Sequence, residues 1–259
     1  MNNSEIRGAL PPLTASLCGD SARVYGHLWE GWSAGPIGGI KWIRTCSREQ
    51  IRIRRIIKRG RMRPTGKFSS WKNSRYMHWE SPNERNAFTT LDFSPQVIAY
   101  REQSCEIVYV DDDGNECRHY PDIEVFAVSG CELWEVKTKH YAESKDVKRR
   151  TEIVSESLAA IGIKYRMAIA EELGKQPQLG TMEKVLHFAR RPVSSVERIC
   201  LAQELSQIGC ITWAQACSGR LGAYGREIIC RLLLEGYLQI DLNLPFGPTT
   251  EFNLGSRGW

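Results

Sequence analysis

Hydrophobic residues recur at helical spacing just after a sequence that is typical of a helix start. Ser81 is suited to cap a helix, Pro82 fits the first turn, and Glu84 occupies the capping-box position. The apolar face that follows comprises Ala87, Phe88 and Leu91. We therefore predict a helix that begins at Pro82.

Polar and apolar residues then alternate in short runs, which predict strands separated by turns. Turns are expected at 112–115 and at Ser129-Gly130. The predicted strands cover residues 97–100, 105–111, 119–128 and 131–137. Because the connections are so short, we expect an antiparallel meander. A long helix over 142–160 and a strand over 163–170 complete this part.

The last part of the chain shows helical periodicity followed by two strand-like runs. Helices are predicted around 199–208, from a cap at Thr212 to Ala216, and over 224–235. Two strands are predicted over 237–242 and 249–254, on either side of the Pro245–Pro248 turn. Three helices followed by a hairpin are typical of a winged helix.

The composition is that of a globular protein. Apolar residues make up 42% and charged residues 25% of the 259 residues, and no window is apolar enough for a membrane helix. Nine cysteines without a C-x-x-C pair favour reduced thiols, and the absence of paired ligand spacing excludes a zinc finger. We therefore expect a cytoplasmic protein with no membrane partner.

The positive charge is concentrated in one segment. Residues 41–80 contain 13 Lys and Arg against 2 acidic residues, a balance of +11, whereas the whole chain has a net charge of +5. Basic residues interleaved with aromatic ones suit a phosphate backbone, although a solvated arm without a partner is the alternative. The candidate DNA-binding residues are Arg52, Arg54, Arg55, Lys58, Arg59, Arg61, Arg63 and Lys67.

These patterns divide the chain into four parts. We predict an irregular lead-in over 1–40, a basic arm over 41–80, a core domain over 81–175 and a C-terminal domain over 194–259. The C-terminal domain has five arginines and six acidic residues. Its net charge of −1 leaves contact with protein at least as plausible as contact with DNA.

The strongest chemical signal is the pair of motifs Tyr120-Pro121-Asp122 and Glu135-Val136-Lys137. A hairpin at Ser129-Gly130 would place Asp122 opposite Glu135, and Lys137 shares the face of Glu135 because alternate strand residues point the same way. Two carboxylates suit a hard divalent cation, and the lysine suits an attacking water or the transition-state charge. The alternative is an ordinary cross-strand ion pair.

Two further polar residues lie upstream of this hairpin. Glu84 offers a third carboxylate, or serves only the helix cap. Gln103 offers a contact to substrate or water, or is a loop amide.

Together, Ser81-x-x-Glu84, Gln103, Tyr120-Pro121-Asp122 and Glu135-Val136-Lys137 resemble the TnsA family, the endonuclease subunits of heteromeric cut-and-paste transposases. The resemblance covers about residues 60–170 and extends more weakly over 194–259. It departs from the family at Gln103, which is followed by Ser104 instead of proline.

The resemblance implies an α/β fold: a mixed, restriction-endonuclease-like sheet flanked by helices (the PD-(D/E)XK core) and a small winged-helix-like α+β domain. It also implies catalytic roles for Glu84, Asp122, Glu135 and Lys137. The expected ligands of Mg²⁺ or Mn²⁺ are Glu84, Asp122, Glu135 and the main chain of Val136.

By the same resemblance, the substrate is double-stranded DNA at transposon ends, cut at the 5′ ends, and the partners are a DDE transposase subunit and an AAA+ ATPase regulator. The bacterial cytosol or nucleoid is the implied location. Two alternatives stay open: a non-catalytic DNA-binding or assembly protein, and a restriction, repair or phage nuclease with the same core.

Overall fold

The computed structural model describes residues 33–46, 52–53 and 64–257. Within this part of the chain, none of the helices has the length and apolar character needed to cross a membrane. The described residues form thirteen strands and eight helices, numbered in chain order. The strands are β1 (Ser33–Ala34), β2 (Ile40–Thr45), β3 (Gly66–Ser70), β4 (Arg75–Trp79), β5 (Val97–Glu102), β6 (Cys105–Val110), β7 (Glu116–His119), β8 (Ile123–Ala127), β9 (Gly130–Lys137), β10 (Lys164–Ile169), β11 (Cys210–Thr212), β12 (Leu238–Gln239) and β13 (Glu251–Leu254).

The helices are α1 (Pro82–Phe93), α2 (Lys139–Ala142), α3 (Lys145–Ala159), α4 (Ala170–Leu173), α5 (Gln178–Phe188), α6 (Ser195–Ile208), α7 (Trp213–Cys217) and α8 (Gly225–Leu234). The mixture of sheets and helices confirms the predicted α/β class.

The central sheet has the strand order β10-β9-β8-β5. Strands β5, β8 and β9 are antiparallel neighbours, and β10 is parallel to β9. Helices α2 and α3 connect β9 to β10, as a parallel pair requires a crossover connection. The sheet is therefore mixed.

The predicted meander is wrong in its pairing. Strand β6 pairs with β7 on one side and with β2 on the other, in a second sheet of order β1-β2-β6-β7. The run predicted as one strand over 119–128 is interrupted between His119 and Ile123. Pro121 has no N–H to donate to a ladder, and the chain passes from one sheet to the other at this point.

The Ser129-Gly130 hairpin forms as predicted. Ala127 pairs with Gly130 and Phe126 with Cys131, and Gly130 has a φ of 125°, which is easily adopted only by glycine. The helix predicted over 142–160 is interrupted, since α2 ends at Ala142 and α3 begins at Lys145. Ser144 between them has an extended backbone.

Helix α1 packs its predicted apolar face against the central sheet. Ala87, Phe88 and Leu91 are buried together with Tyr100 of β5, whose ring stacks on Phe88 at 5.6 Å between centroids. Full burial of one side chain such as Phe88 or Leu91 stabilises the fold by roughly 1.5–3 kcal/mol. Ser81 caps the helix by accepting a hydrogen bond from the N–H of Glu84, as the sequence predicted.

The C-terminal part contains the three predicted helices, α6, α7 and α8, followed by β12 and β13. Thr212 caps α7 as expected, and strand β11 just before it joins β12 and β13 in a three-stranded sheet of order β11-β13-β12. The strand predicted over 237–242 is shorter, Leu238–Gln239. Helix α5 was not predicted; its Val185 and Leu186 belong to the same hydrophobic core as α8.

The described residues of the segment 41–80 are not an arm without structure. Strand β2 lies in the second sheet, and β3 and β4 form an antiparallel hairpin next to α1. Six of the predicted DNA contacts lie outside the described residues: Arg54, Arg55, Lys58, Arg59, Arg61 and Arg63. The lead-in lies outside them up to residue 32.

Candidate functional site

The interruption at Pro121 places Asp122 at the junction between the two sheets. Ile123 pairs with Trp134, so Asp122 comes opposite Glu135, as predicted. The N–H of Val136 donates to Asp122 Oδ2 at 2.8 Å, and the N–H of Gln103 donates to the Asp122 carbonyl at 2.9 Å. The residue is thus held on both sides by backbone donors.

Lys137 lies between the two carboxylates. Its Nζ is 2.6 Å from Glu135 Oε1 and 3.8 Å from Asp122 Oδ2. Glu135 is only 3% exposed. The structure therefore brings Asp122, Glu135 and Lys137 together, as the hairpin predicted.

The charges in this group influence one another strongly. Burial raises the pKa of Asp122 well above its usual range, and the negative charges of Glu135 and Glu84 add to this effect. Burial opposes the charged form of Lys137, but attraction to Asp122 and Glu135 outweighs it and raises the lysine pKa. The site thus brings together acidic groups whose charged forms repel one another.

Glu84 lies at the start of α1, where its carboxylate completes the helix cap. Oε1 accepts from the Ser81 hydroxyl at 3.0 Å, and Oε2 accepts from the Glu80 N–H at 2.8 Å. Burial raises the pKa of Glu84. The cap is thus observed, whereas its role as a metal ligand stays a prediction.

Gln103 connects this helix start to Asp122. It is buried and has a φ of 42°, a left-handed conformation that is uncommon for residues other than glycine. Its side-chain Nε2 donates to Glu80 Oε2 at 3.3 Å. Its role toward substrate stays a prediction.

Behind Glu135 lies a second group of polar side chains, from three different elements. Arg150 of α3 donates through Nη2 to Glu135 Oε1 at 3.2 Å. His119, at the end of β7, has its Nε2 3.5 Å from Glu135 Oε2 and 2.8 Å from the hydroxyl of Tyr165. Burial, with the nearby charges of Arg150 and Lys137, lowers the pKa of His119 to about 3, so its imidazole is neutral.

The carboxylate oxygens at this site meet part of what a hard divalent cation needs from its ligands. Among the described residues, no three Asp, Glu, His or Cys side chains are grouped closely enough to hold a metal ion by themselves. However, Glu135 Oε2 is buried and accepts no hydrogen bond from the described residues. Mg²⁺ commonly binds through one or two carboxylates and keeps several waters, so two carboxylates with an unsatisfied oxygen suit it.

Of the basic residues predicted to bind DNA, only Arg52 and Lys67 are described. Arg52 is largely buried: its Nη2 lies 3.5 Å from Glu102 Oε1, and its Nη1 lies 2.7 Å from His78 Nδ1. Lys67 is exposed on β3, with its Nζ 5.9 Å from the Tyr76 ring. Contact of either residue with DNA stays a prediction.

The sequence analysis did not identify three residues that the structure places at this site: Glu80, Arg150 and Tyr165. Glu80 stands just before the helix cap, which was the one local signal for it. Arg150 reaches Glu135, and Tyr165 reaches His119, only because α3 packs against β10 and β10 lies beside β9. No spacing within the sequence indicates that convergence.

One family of known proteins matches part of this chain. Residues 94–169 match the family described as TnsA-like endonuclease N terminal, a segment that runs from β5 to β10 and contains Asp122, Glu135 and Lys137. No curated protein matches the chain. The resemblance to TnsA-like endonucleases is therefore confirmed, and the match indicates nuclease activity.

Proposed function

We propose that this protein is the metal-dependent DNA endonuclease subunit of a heteromeric transposase, which hydrolyses phosphodiester bonds at the 5′ ends of the transposon. The observation that carries this proposal is the position of Lys137 between Asp122 and Glu135, within the segment that matches TnsA-like endonucleases. Two carboxylates can hold a divalent cation that activates a water for phosphodiester hydrolysis, and the lysine can stabilise negative charge in the transition state.

We assign the central sheet, with α1 and α3, to a restriction-endonuclease-like core over 81–175. The order of helices α6–α8 and strands β12 and β13 supports a winged-helix-like domain over 194–259. Its slight negative charge favours contact with protein, without excluding phosphate contacts by its arginines.

Asp122, Glu135 and the main chain of Val136 would hold Mg²⁺ or Mn²⁺, with Glu84 as a further carboxylate. The ion when bound would lower the pKa of a water and neutralise charge on the phosphate oxygens. The carboxyl groups of Glu80, Glu84, Asp122 and Glu135 outnumber the cations Lys137 and Arg150 around this site. A divalent ion would offset the mutual repulsion that contributes to the raised pKa of Asp122 and Glu84.

Lys137 is the group proposed to act on the attacking water. Its raised pKa keeps it protonated at neutral pH, so it orients the water and stabilises transition-state charge rather than acting as a base. Gln103 is proposed to contact substrate at the edge of the site. The basic residues around 52–67 are proposed to bind the DNA backbone.

The proposed substrate is double-stranded DNA of the transposon ends, in the bacterial cytosol or nucleoid. The proposed partners are a DDE transposase subunit, which would join the 3′ ends, and an AAA+ ATPase regulator.

Cleavage of a plasmid that carries transposon ends, in the presence of Mg²⁺ and the partner transposase, tests this function. The expected result is 5′-end cleavage by the wild-type protein and none by Asp122→Ala or Lys137→Ala. Equal cutting by wild type and variants would contradict the proposed site.

A non-catalytic DNA-binding or assembly protein is the second candidate. The observation in its favour is that Lys137 already pairs with both carboxylates and Glu84 already caps a helix, as purely structural groups would. DNA binding without metal-dependent cleavage would support it. Encoded neighbours other than a transposase would instead favour a restriction, repair or phage nuclease.

A further inference from the structure

We propose that Arg150, with His119 and Tyr165, positions Glu135 so that one of its carboxylate oxygens stays free of hydrogen-bond donors. This inference rests on the proposed metal-dependent function. It assigns to α3, β7 and β10 a part in preparing a ligand that lies on β9.

The first observation is the crowding of donors on a single oxygen. Glu135 Oε1 accepts from Lys137 Nζ at 2.6 Å and from Arg150 Nη2 at 3.2 Å. The lysine comes from the same strand and the arginine from a different element, so the two donors approach Oε1 from separate directions. Two such contacts fix the rotation of the carboxylate.

The second observation concerns the other oxygen of the same carboxylate, Oε2. Oε2 is buried and accepts no hydrogen bond from any residue that the structure describes. Its nearest ring nitrogen, His119 Nε2, is 3.5 Å away and is engaged with the Tyr165 hydroxyl at 2.8 Å. A buried carboxylate oxygen without a hydrogen-bond donor is unfavourable, so a cation that binds Oε2 would satisfy it.

The hydrogen bond to Tyr165 keeps the His119 imidazole from binding Glu135. Because His119 Nε2 is already hydrogen-bonded to the Tyr165 hydroxyl, this nitrogen is not available for a hydrogen bond with Glu135 Oε2. The edge-on arrangement of the two rings, at 68° and 5.9 Å between centroids, keeps the imidazole in this position.

Charge and position predict opposite effects of removing Arg150. A guanidinium next to a cation ligand repels the cation, so on charge alone Arg150→Gln would strengthen metal binding. If Arg150 positions Glu135, the same substitution weakens binding. Residues that orient metal ligands typically contribute about 10–100-fold to affinity.

Titration calorimetry of the full chain with Mg²⁺, and separately with Mn²⁺, without DNA, measures this effect. The matched control is Arg149→Gln, which removes the same charge from the neighbouring residue of α3. Arg149 is exposed and pairs with Asp112 rather than with Glu135. We expect Arg150→Gln to weaken binding about tenfold or more, Arg150→Lys to restore part of the affinity, and Arg149→Gln to bind like the wild type.

Unchanged or tighter binding by Arg150→Gln would overturn the inference while leaving the metal site intact. No binding by the wild-type protein would instead overturn the proposed metal-dependent function, and this inference with it. If Arg150→Gln does not fold, Tyr165→Phe decides, because it removes the hydroxyl that holds His119 Nε2 and lets the imidazole turn toward Oε2. Weaker metal binding by Tyr165→Phe supports the inference, and wild-type affinity overturns it.

Discussion

Glu102 and Asp122 are neighbours in the structure, yet their surroundings are opposite. Glu102 Oε1 and Oε2 accept from both terminal nitrogens of Arg75, at 3.0 and 2.7 Å, and Arg52 lies 3.5 Å from Oε1. Asp122 has one ammonium group at 3.8 Å and is repelled by Glu135 and Glu84. One carboxylate is surrounded by cations and the other by like charges.

This difference separates a structural charge from a functional one. A buried carboxylate with two arginines is satisfied within the chain, so its removal leaves uncompensated cations. A carboxylate held among like charges costs stability at neutral pH and is retained where a ligand or a reaction makes use of it. The two residues are joined through Gln103, whose N–H donates to the Asp122 carbonyl.

The largest expected effect is on cleavage by Asp122→Asn. The variant loses a charged metal ligand, so we expect the cleavage rate to fall by about 100-fold or more, since residues that only orient such ligands already contribute about 10–100-fold. Its stability should rise at pH 7, by on the order of 1 kcal/mol for each unit by which the carboxyl pKa is raised. Stability rises because a carboxyl whose pKa is higher in the folded than in the unfolded state destabilises the folded protein as pH rises above the unfolded-state pKa, and asparagine does not ionise.

Cleavage assays with the partner transposase, together with thermal melts at pH 7, measure both effects of Asp122→Asn. Asparagine can still accept from the Val136 N–H, so the backbone contact is kept. A large loss of stability with Asp122→Asn would show that Asp122 is structural, like Glu102.

Glu102→Gln should have the opposite effect on stability. Without the buried carboxylate charge, the guanidinium groups of Arg75 and Arg52 lose their anionic partner, and we expect a loss of up to roughly 3–5 kcal/mol in the free energy of unfolding. Urea unfolding measures it. Glu116→Gln is the control, since the exposed pair of Lys41 and Glu116 should contribute no more than about 1 kcal/mol. If Glu102→Gln and Glu116→Gln were equally stable, Glu102 would not be the structural carboxylate that the comparison with Asp122 requires.

Lys72 extends the comparison to a buried cation, with a smaller effect. Burial lowers its pKa to about 7 from an ordinary value of 10.5, against the attraction of Asp92. Between these values the unfolded chain binds more protons than the folded one. Stability should therefore rise with pH, by up to about 1.4 kcal/mol per pH unit.

Lys72→Met lacks this proton, so the wild type should gain stability relative to the variant between about pH 7 and pH 9. Chemical unfolding of both proteins across that range measures the difference. Parallel curves would show that Lys72 is not perturbed by burial.

Local signals predicted much of what places the site. The cap at Ser81 and Pro82 fixed the start of α1, and the Ser129-Gly130 turn fixed the register that brings Asp122 opposite Glu135. Both depend on residues within a few positions of each other, where backbone preferences and side-chain alternation are decisive. The match to TnsA-like endonucleases lies over this same part of the chain.

The parts that were not predicted depend on contacts between distant residues. The division of the strands into two sheets follows from pairing of β6 with β2, some sixty residues earlier in the chain. The contact of Arg150 with Glu135 likewise exists only once α3 has packed beside the central sheet. Alternation within a run cannot reveal which partner strand or helix it will meet.

The most direct test of the central claim is electron paramagnetic resonance of Mn²⁺ added to the wild-type chain and to Asp122→Asn. If Asp122 and Glu135 form a divalent-cation site, the wild type binds the ion with loss of the free Mn²⁺ signal, and Asp122→Asn leaves that signal almost unchanged. An identical signal from the two proteins, whether both bind or neither does, would contradict the assignment of this hairpin as a metal-dependent nuclease site.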